Sequence, residues 1–279
     1  MTGWKPLGSV APPALGPTRI ELHWAVAAVE QVGKALVPKA EDLRHLALRW
    51  DEGLEALVTA PVKTGARAAL RPATASLLAL DADGRTVEGW VLTRRKLVEA
   101  LAWVRARFTA LTGEKPDWPA LRDDLPASPL AEGGSFSAAG PAHHELARWF
   151  ADAAAVLEPV AAEHDPAGPV LCWPHHFDIA TRLDFEPEAD PEQARSVGLG
   201  LSPGDGDLSE PYFYVLPWPE PDAGGLRALD GPGEAVTEGF VGWRLPGSDL
   251  VALDGSAQEE AARRFLREGL SAAKGALGL

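Results

Sequence analysis

Helix-like and strand-like stretches follow one another in the same order twice along this chain, and that order limits its fold more than any single motif. Leu22, Ala25, Val26, Val29, Val32, Gly33 and Leu36 recur at helical spacing, so residues 19–37 read as a helix that Pro38 ends. Four strand-like runs follow, at 45–50, 54–62, 74–80 and 86–92. Between the last two, Asp81-Ala82-Asp83-Gly84 has the composition of a hairpin turn, because Asp-Gly tolerates the positive φ such turns need. A second helix over 95–111 places Leu97, Leu101, Val104 and Phe108 on one face, and Gly113 supplies its stop. Residues 114–140 are rich in Pro, Gly and Ser and read as an irregular linker. The order then returns: a helix over 141–163, strands near 169–183, 196–202, 211–217 and 239–245, and a helix from 258 to 276, capped by Ser256 or the Gly255-Ser256 pair.

This pattern predicts an α+β protein made of two similar α-β-β-β-β-α units, 18–113 and 141–279, forming antiparallel sheet with helices on one face. Individual residues repeat as well. Arg44-His-Leu-Ala-Leu48 stands where His175-His-Phe-Asp-Ile179 stands in the second half, and Gly89-Trp-Val-Leu92 matches Gly242-Trp-Arg-Leu245. An internal duplication is the expectation.

Composition narrows the function classes. The 279 residues carry 26 basic against 40 acidic side chains, a net charge of −14 that opposes attraction to phosphate backbones, so nucleic acid is not the expected partner. No run of eighteen apolar residues is present and the N-terminus lacks a basic-then-apolar leader, so neither a membrane span nor a secretory signal is read. The single cysteine, Cys172, excludes an internal disulfide framework and any multi-cysteine zinc site, and it fits a reducing cytoplasm. Nothing in the composition fixes an oligomeric state.

Chemistry concentrates in the second half. Cys172-Trp-Pro-His-His-Phe-Asp-Ile-Ala-Thr181, Gly200-Leu-Ser-Pro-Gly-Asp205 and Glu210-Pro-Tyr-Phe-Tyr-Val-Leu-Pro-Trp-Pro219 hold both tyrosines of the chain. Read as a strand, 172–181 puts Trp173, His175, Phe177 and Ile179 on one face and Cys172, His176, Asp178 and Ala180 on the other. The same alternation groups His176 and Asp178 with Gly198, Gly200, Ser202, Tyr212 and Tyr214. Glycines beside tyrosines and a His-Asp pair would leave room for a ligand on an open sheet face.

Three chemistries suit that surface. The residues name no cofactor, but His176 and Asp178 on one strand could hold a divalent metal, with Asp205, Glu210, His143 or His144 completing the shell of a metal-dependent hydrolase. Ser202 could act as a nucleophile beside His176, although Leu-Ser-Pro-Gly reads more simply as a turn. In the reading preferred here, a small-molecule-binding protein and candidate enzyme uses His176 and Asp178 as its catalytic polar centre. Ser202, Asp205, Glu210, Tyr212, Tyr214 and Trp218 then contact the ligand. A protein-interaction module, with the sheet face docking a partner, is the further alternative. His23, with Gln31 and Lys34 after it, reads as a partly buried structural histidine. His143 and His144 read as solvent-exposed, and Cys172 as buried and inert.

Leu22-His23 with Gln31 and Gly33-Lys34, His45-Leu46, Trp173-Pro-His-His-Phe-Asp178, Leu201-Ser-Pro-Gly-Asp205 and Pro211-Tyr-Phe-Tyr-Val-x-Pro-Trp-Pro219 together resemble an uncharacterised family of bacterial proteins of about this length. The resemblance covers residues 18 to 253. It implies a shared scaffold and site and names no reaction.

Overall fold

A computed structural model describes residues 3–164, 167–187, 189–190 and 193–279. The chain forms two compact units, one of Gly16–Ala147 with Leu171–Phe177, the other of Met1–Leu15, Arg148–Val170 and Asp178–Leu279. Both are α+β with antiparallel strands, as the order of elements predicts. The expected blocks 18–113 and 141–279 do not coincide with these units.

In the first unit, α1 (Gly16–Leu36) is buried around most of its girth. Leu22, Ala25, Val26, Val29 and Val32 are covered as their spacing predicts, and Arg19, His23, Glu30 and Gln31 are covered too. Five strands follow as a meander: β1 (Leu48–Asp51), β2 (Ala56–Thr59), β3 (Arg67–Arg71), β4 (Ser76–Leu80) and β5 (Thr86–Val91). β6 (Leu171–Trp173) pairs with β1 through Cys172 and Leu48. The sequence reading gave four strands and missed β3. Its arginines at both ends flank only Ala-Ala-Leu, which is too short an apolar run to show period two. Ala56, Val58, Ala69, Leu78 and Leu80 form a buried cluster across β2, β3 and β4. α2 (Leu97–Thr112) packs on α1 and ends at Gly113, as expected.

The 81–84 turn forms as predicted: Gly84 takes φ +79° and the Asp81 carboxylate accepts the amides of Asp83 and Arg85. His45 is not in a strand. It sits in a single 3-10 turn before β1, where its Nδ1 accepts the Ala40 amide at 3.2 Å. Residues 114–140 are not a loose linker either. The Trp24 indole donates to Pro126 O (2.9 Å), Gln31 Nε2 donates to Ala120 O (3.4 Å), and Arg122 lies 3.5 Å from Glu30. Prolines make the segment irregular, and these contacts fix it on α1.

In the second unit, β7 (Asp178–Asp184), β8 (Ser196–Ser202), β9 (Tyr212–Trp218), β10 (Glu234–Val236) and β11 (Gly242–Pro246) lie in the order β7-β8-β9-β11-β10. β10 was not foreseen; it is three residues long and mostly exposed. β11 pairs with β9 only over Tyr212–Val215, so on that side Leu216–Trp218 is an edge, where Pro217 needs no ladder donor. After the short α4 (Gly247–Val251), α5 (Gly255–Ala276) lays its Ala262, Phe265, Leu266 and Leu270 side toward the core and packs on β8, β9 and β11. Asp254 is its N-cap and makes no side-chain cap bond, so the cap expected from Ser256 is absent.

The N-terminal segment is tied down in this unit by buried polar groups. Gln258 Oε1 accepts the Leu7 amide (2.9 Å), its Nε2 donates to Leu7 O and Leu253 O (3.2 Å each), and Asp152 Oδ1 on α3 (Pro141–Ala162) accepts the Lys5 amide (2.9 Å). No helix among the described residues is long and apolar enough to cross a membrane.

Candidate functional site

The segment 172–181 is not one strand. β6 ends at Trp173, residues 174–177 turn, and β7 begins at Asp178. The amides of His176 and Phe177 bond Trp173 O at 3.2 and 2.7 Å, and Phe177 takes φ +58°, a left-handed conformation that breaks the two-residue period. His175 and His176 are therefore exposed turn residues of the first unit, while Asp178 is the buried first residue of β7 in the second. Alternation along a single strand does not pair His176 with Asp178.

From Asp178 onward the alternation holds. Ala180, Gly200 and Tyr214 are direct cross-strand neighbours, as are Ser202 and Tyr212. The face they share is not open: Asp178, Ser202 and Tyr212 are buried. Nor does Gly200 leave room for a ligand. A Cβ there would meet Cζ and the hydroxyl of Tyr214 at 2.5 Å, so the tyrosine ring occupies the gap. Tyr214 donates its hydroxyl to Asp178 Oδ2 (2.5 Å), and Tyr212 donates to Asp205 while stacking on Phe240. Burial, and then the carboxylate partner, push both phenols above their ordinary range, which keeps them protonated donors.

The remaining expected site residues are occupied in their own loops. Asp205 also accepts the amides of Asp207 and Leu208 (2.9 Å each), and Glu210 accepts the Ser248 amide (3.0 Å) and hydroxyl. Ser202 Oγ accepts the Gly204 amide (3.2 Å), the contact of a turn rather than of a nucleophile. Trp218 stands exposed four residues beyond Tyr214, opposite Ser196. His143, expected in solvent, is buried: its Nδ1 accepts the Gly140 amide at 3.3 Å, and burial lowers its pKa. Cys172 is buried, as read. Among the described residues no three His, Cys, Asp or Glu side chains converge to hold a metal ion.

A different polar group assembles in the first unit. Arg19, His23, Glu30 and Lys34 fall within one narrow stripe of α1, since their spacings of four, seven and four approximate whole turns. Glu30 pairs with Lys34 (2.7 Å) and with Arg122, which also grips Asp124 through two bonds (2.7 and 2.5 Å). Gln31 accepts from Arg105 at 3.1 Å. At the other end of the stripe the turn 173–177 closes over His23, whose ring stacks on Phe177 (5.4 Å between centroids). His23 Nε2 lies 2.8 Å from Pro174 O. Above it, the half-buried Trp173 ring lies edge-on to the exposed His175 (5.9 Å), and the exposed His176 lies against His175 (4.2 Å).

His23 is 5% exposed, and burial holds its pKa down at about 4; Arg19 and Arg122 act in the same direction against the Pro174 bond and Asp124. Its Nδ1 is buried and bonds nothing among the described residues. Sequence reasoning picked out His23, Gln31 and Lys34 but not Arg19 or Glu30. The 3.6-residue period that hid them in a core helix was also the signal that could have found them. Arg122 and Asp124, in the supposed linker, gave no signal.

No family model, curated protein or solved structure matches the chain.

Proposed function

We propose that the protein binds a small polar molecule, and that the binding centre is the stripe of α1 around Arg19 and His23 with the two segments that close over it. The observation that carries this reading is the composition of those coverings. A buried helix face in a purely structural core is met by apolar side chains, because burying ionisable groups costs several kcal/mol unless they are paired. Here the face itself is ionisable, and the coverings bring Arg122, Asp124 and His175 to it, with His176 beside His175. Convergent polar groups with aromatic walls and a displaced histidine pKa are the features of a ligand site. His176 keeps a place in this reading, at the exposed mouth. The carboxylates Asp205 and Glu210 and the Asp178–Tyr214 pair support the other unit by holding its loops and strands.

A thermal-shift screen of the whole chain against polar metabolites tests this. At least one compound should raise the melting temperature in a concentration-dependent way, as any ligand of the native state does. Its effect should be lost in Arg122→Gln and in His175→Ala. A library without a stabilising compound, or hits indifferent to both substitutions, would sink the proposal.

A further inference from the structure

Resting on that reading, we infer that Nδ1 of His23 is the acceptor for a ligand hydroxyl, so that the site takes a small, uncharged, hydroxylated molecule. A carbonyl oxygen only accepts, so the 2.8 Å contact with Pro174 O places the proton of His23 on Nε2. Nδ1 then carries a lone pair. The ring cannot turn to hide it, because one edge is held by Pro174 and one face lies on Phe177.

That lone pair lies in the 5%-exposed interior with no donor among the described residues. An acceptor so placed costs roughly 1–3 kcal/mol if nothing fills it. Among the groups that could approach it, three fit poorly, and a neutral amide N–H, which could donate, has no lone pair on its nitrogen to accept from Arg19 or Arg122 in turn. A carboxylate or phosphate ester dianion offers no proton to a lone pair. An ammonium group would have to approach Arg19 and Arg122, whose charges already disfavour a cation on the ring itself. A metal ion needs further ligands, and no group of three His, Cys, Asp or Glu is present among the described residues. A neutral hydroxyl donates one hydrogen bond without adding charge. Its own oxygen can accept in turn from a guanidinium, the only kind of bond Arg19 and Arg122 can make.

The test is nitrogen NMR of the whole chain labelled with 15N-histidine, titrated with glycerol, ribose and sorbitol and, separately, with fully O-methylated sorbitol. The free polyols should move the His23 Nδ1 resonance toward that of a hydrogen-bonded acceptor, and the methyl ether should not. His23→Gln, whose amide N–H can still reach Pro174 O, should fold and bind the polyol more weakly by on the order of tenfold or more. His23→Asn, whose amide oxygen stands near the place of Nδ1, should recover part of that loss. Where a probe binds, two outcomes overturn the inference: equal shifts with the methyl ether, or polyol binding that moves His175 and His176 but leaves Nδ1 unchanged. The second leaves the binding reading standing. If no probe moves His23, His175 or His176 at saturating concentration, the inference falls, and failure of the metabolite screen as well would take the binding reading with it.

Discussion

The ring of Tyr214 lies where any side chain at Gly200 would have to go, and its hydroxyl reaches past that residue to the Asp178 carboxylate. Three neighbouring strands are locked by this arrangement, since Asp178 opens β7, Gly200 lies in β8 and Tyr214 in β9. The tyrosine cannot swing aside without breaking its bond to the buried Asp178 carboxylate. Gly200→Ala should therefore destabilise the chain by about 1–3 kcal/mol, as overpacked cores do. In a Tyr214→Ala background the same substitution should cost close to nothing. Urea unfolding of the four members of this cycle measures the coupling. Equal costs in both backgrounds would show that the ring does not occupy the gap.

Gln258 makes three bonds that no apolar residue can replace, two of them to the backbone of Leu7. Replacing it with Leu preserves most of the volume and strands the buried Leu7 amide and carbonyl. Gln258→Leu should lower stability by roughly 1–3 kcal/mol. It should also expose the N-terminal segment to cleavage, because both backbone bonds that hold Leu7 would then be lost. Limited proteolysis with N-terminal sequencing reads this directly; a cleavage pattern unchanged from the parent chain would count against it.

Asp152 should make stability fall as pH rises. It is buried, and burial raises its carboxyl from 3.8 to about 7. The folded chain therefore binds a proton that the unfolded chain releases between about pH 4 and pH 7. The stability associated with that proton is complete below the unfolded value and is lost as pH climbs through the folded one. The window spans about three pKa units, so the full effect is of the order of 4 kcal/mol. Lys5 and Arg148 oppose the shift and Glu259 supports it, so salt should alter its size but not its sign. Asp152→Asn should match the parent near pH 4 and exceed it progressively toward pH 8 in denaturant titrations. Parallel pH profiles for the two would refute the assignment.

The sequence disclosed the long helices and hid two of the strands. α1, α2, α3 and α5 lie within a few residues of their predicted spans, because each repeats its apolar side chains over about three turns or more. β3 and β10 carry no such repetition, being five and three residues long. The turn at 174–177 was hidden for a different reason. Trp173-Pro-His-His-Phe alternates well enough to pass for a strand, and only the left-handed φ of Phe177, a residue that seldom adopts it, interrupts the pattern. That one dihedral moved His176 out of the row containing Asp178. The α1 stripe was obscured because only the apolar side chains of the helix were followed, and Arg19 and Glu30, at the same helical period, are covered by Arg122 and the 174–177 turn from distant sequence.

His23 should act on stability in the direction opposite to Asp152. Burial depresses its pKa from 6.5 to about 4, so the unfolded chain takes up a proton that the folded chain refuses. Its contribution is complete above pH 6.5 and is lost as pH falls toward 4, by about 3 kcal/mol over that span. Between pH 4 and 6.5 the two groups therefore pull against each other, and the parent chain should show a flatter profile than either effect alone would give. Asp152→Asn should unmask a rise in stability with pH across this window, and His23→Gln a fall that continues to about pH 7. The double variant should lose both slopes. Denaturant titrations at half-unit pH steps from 4 to 8 separate the four profiles, and carbon NMR of labelled histidine should show the His23 ring still neutral at pH 5. A His23 ring that titrates near 6.5 would remove both the slope and the buried lone pair on which the ligand assignment depends.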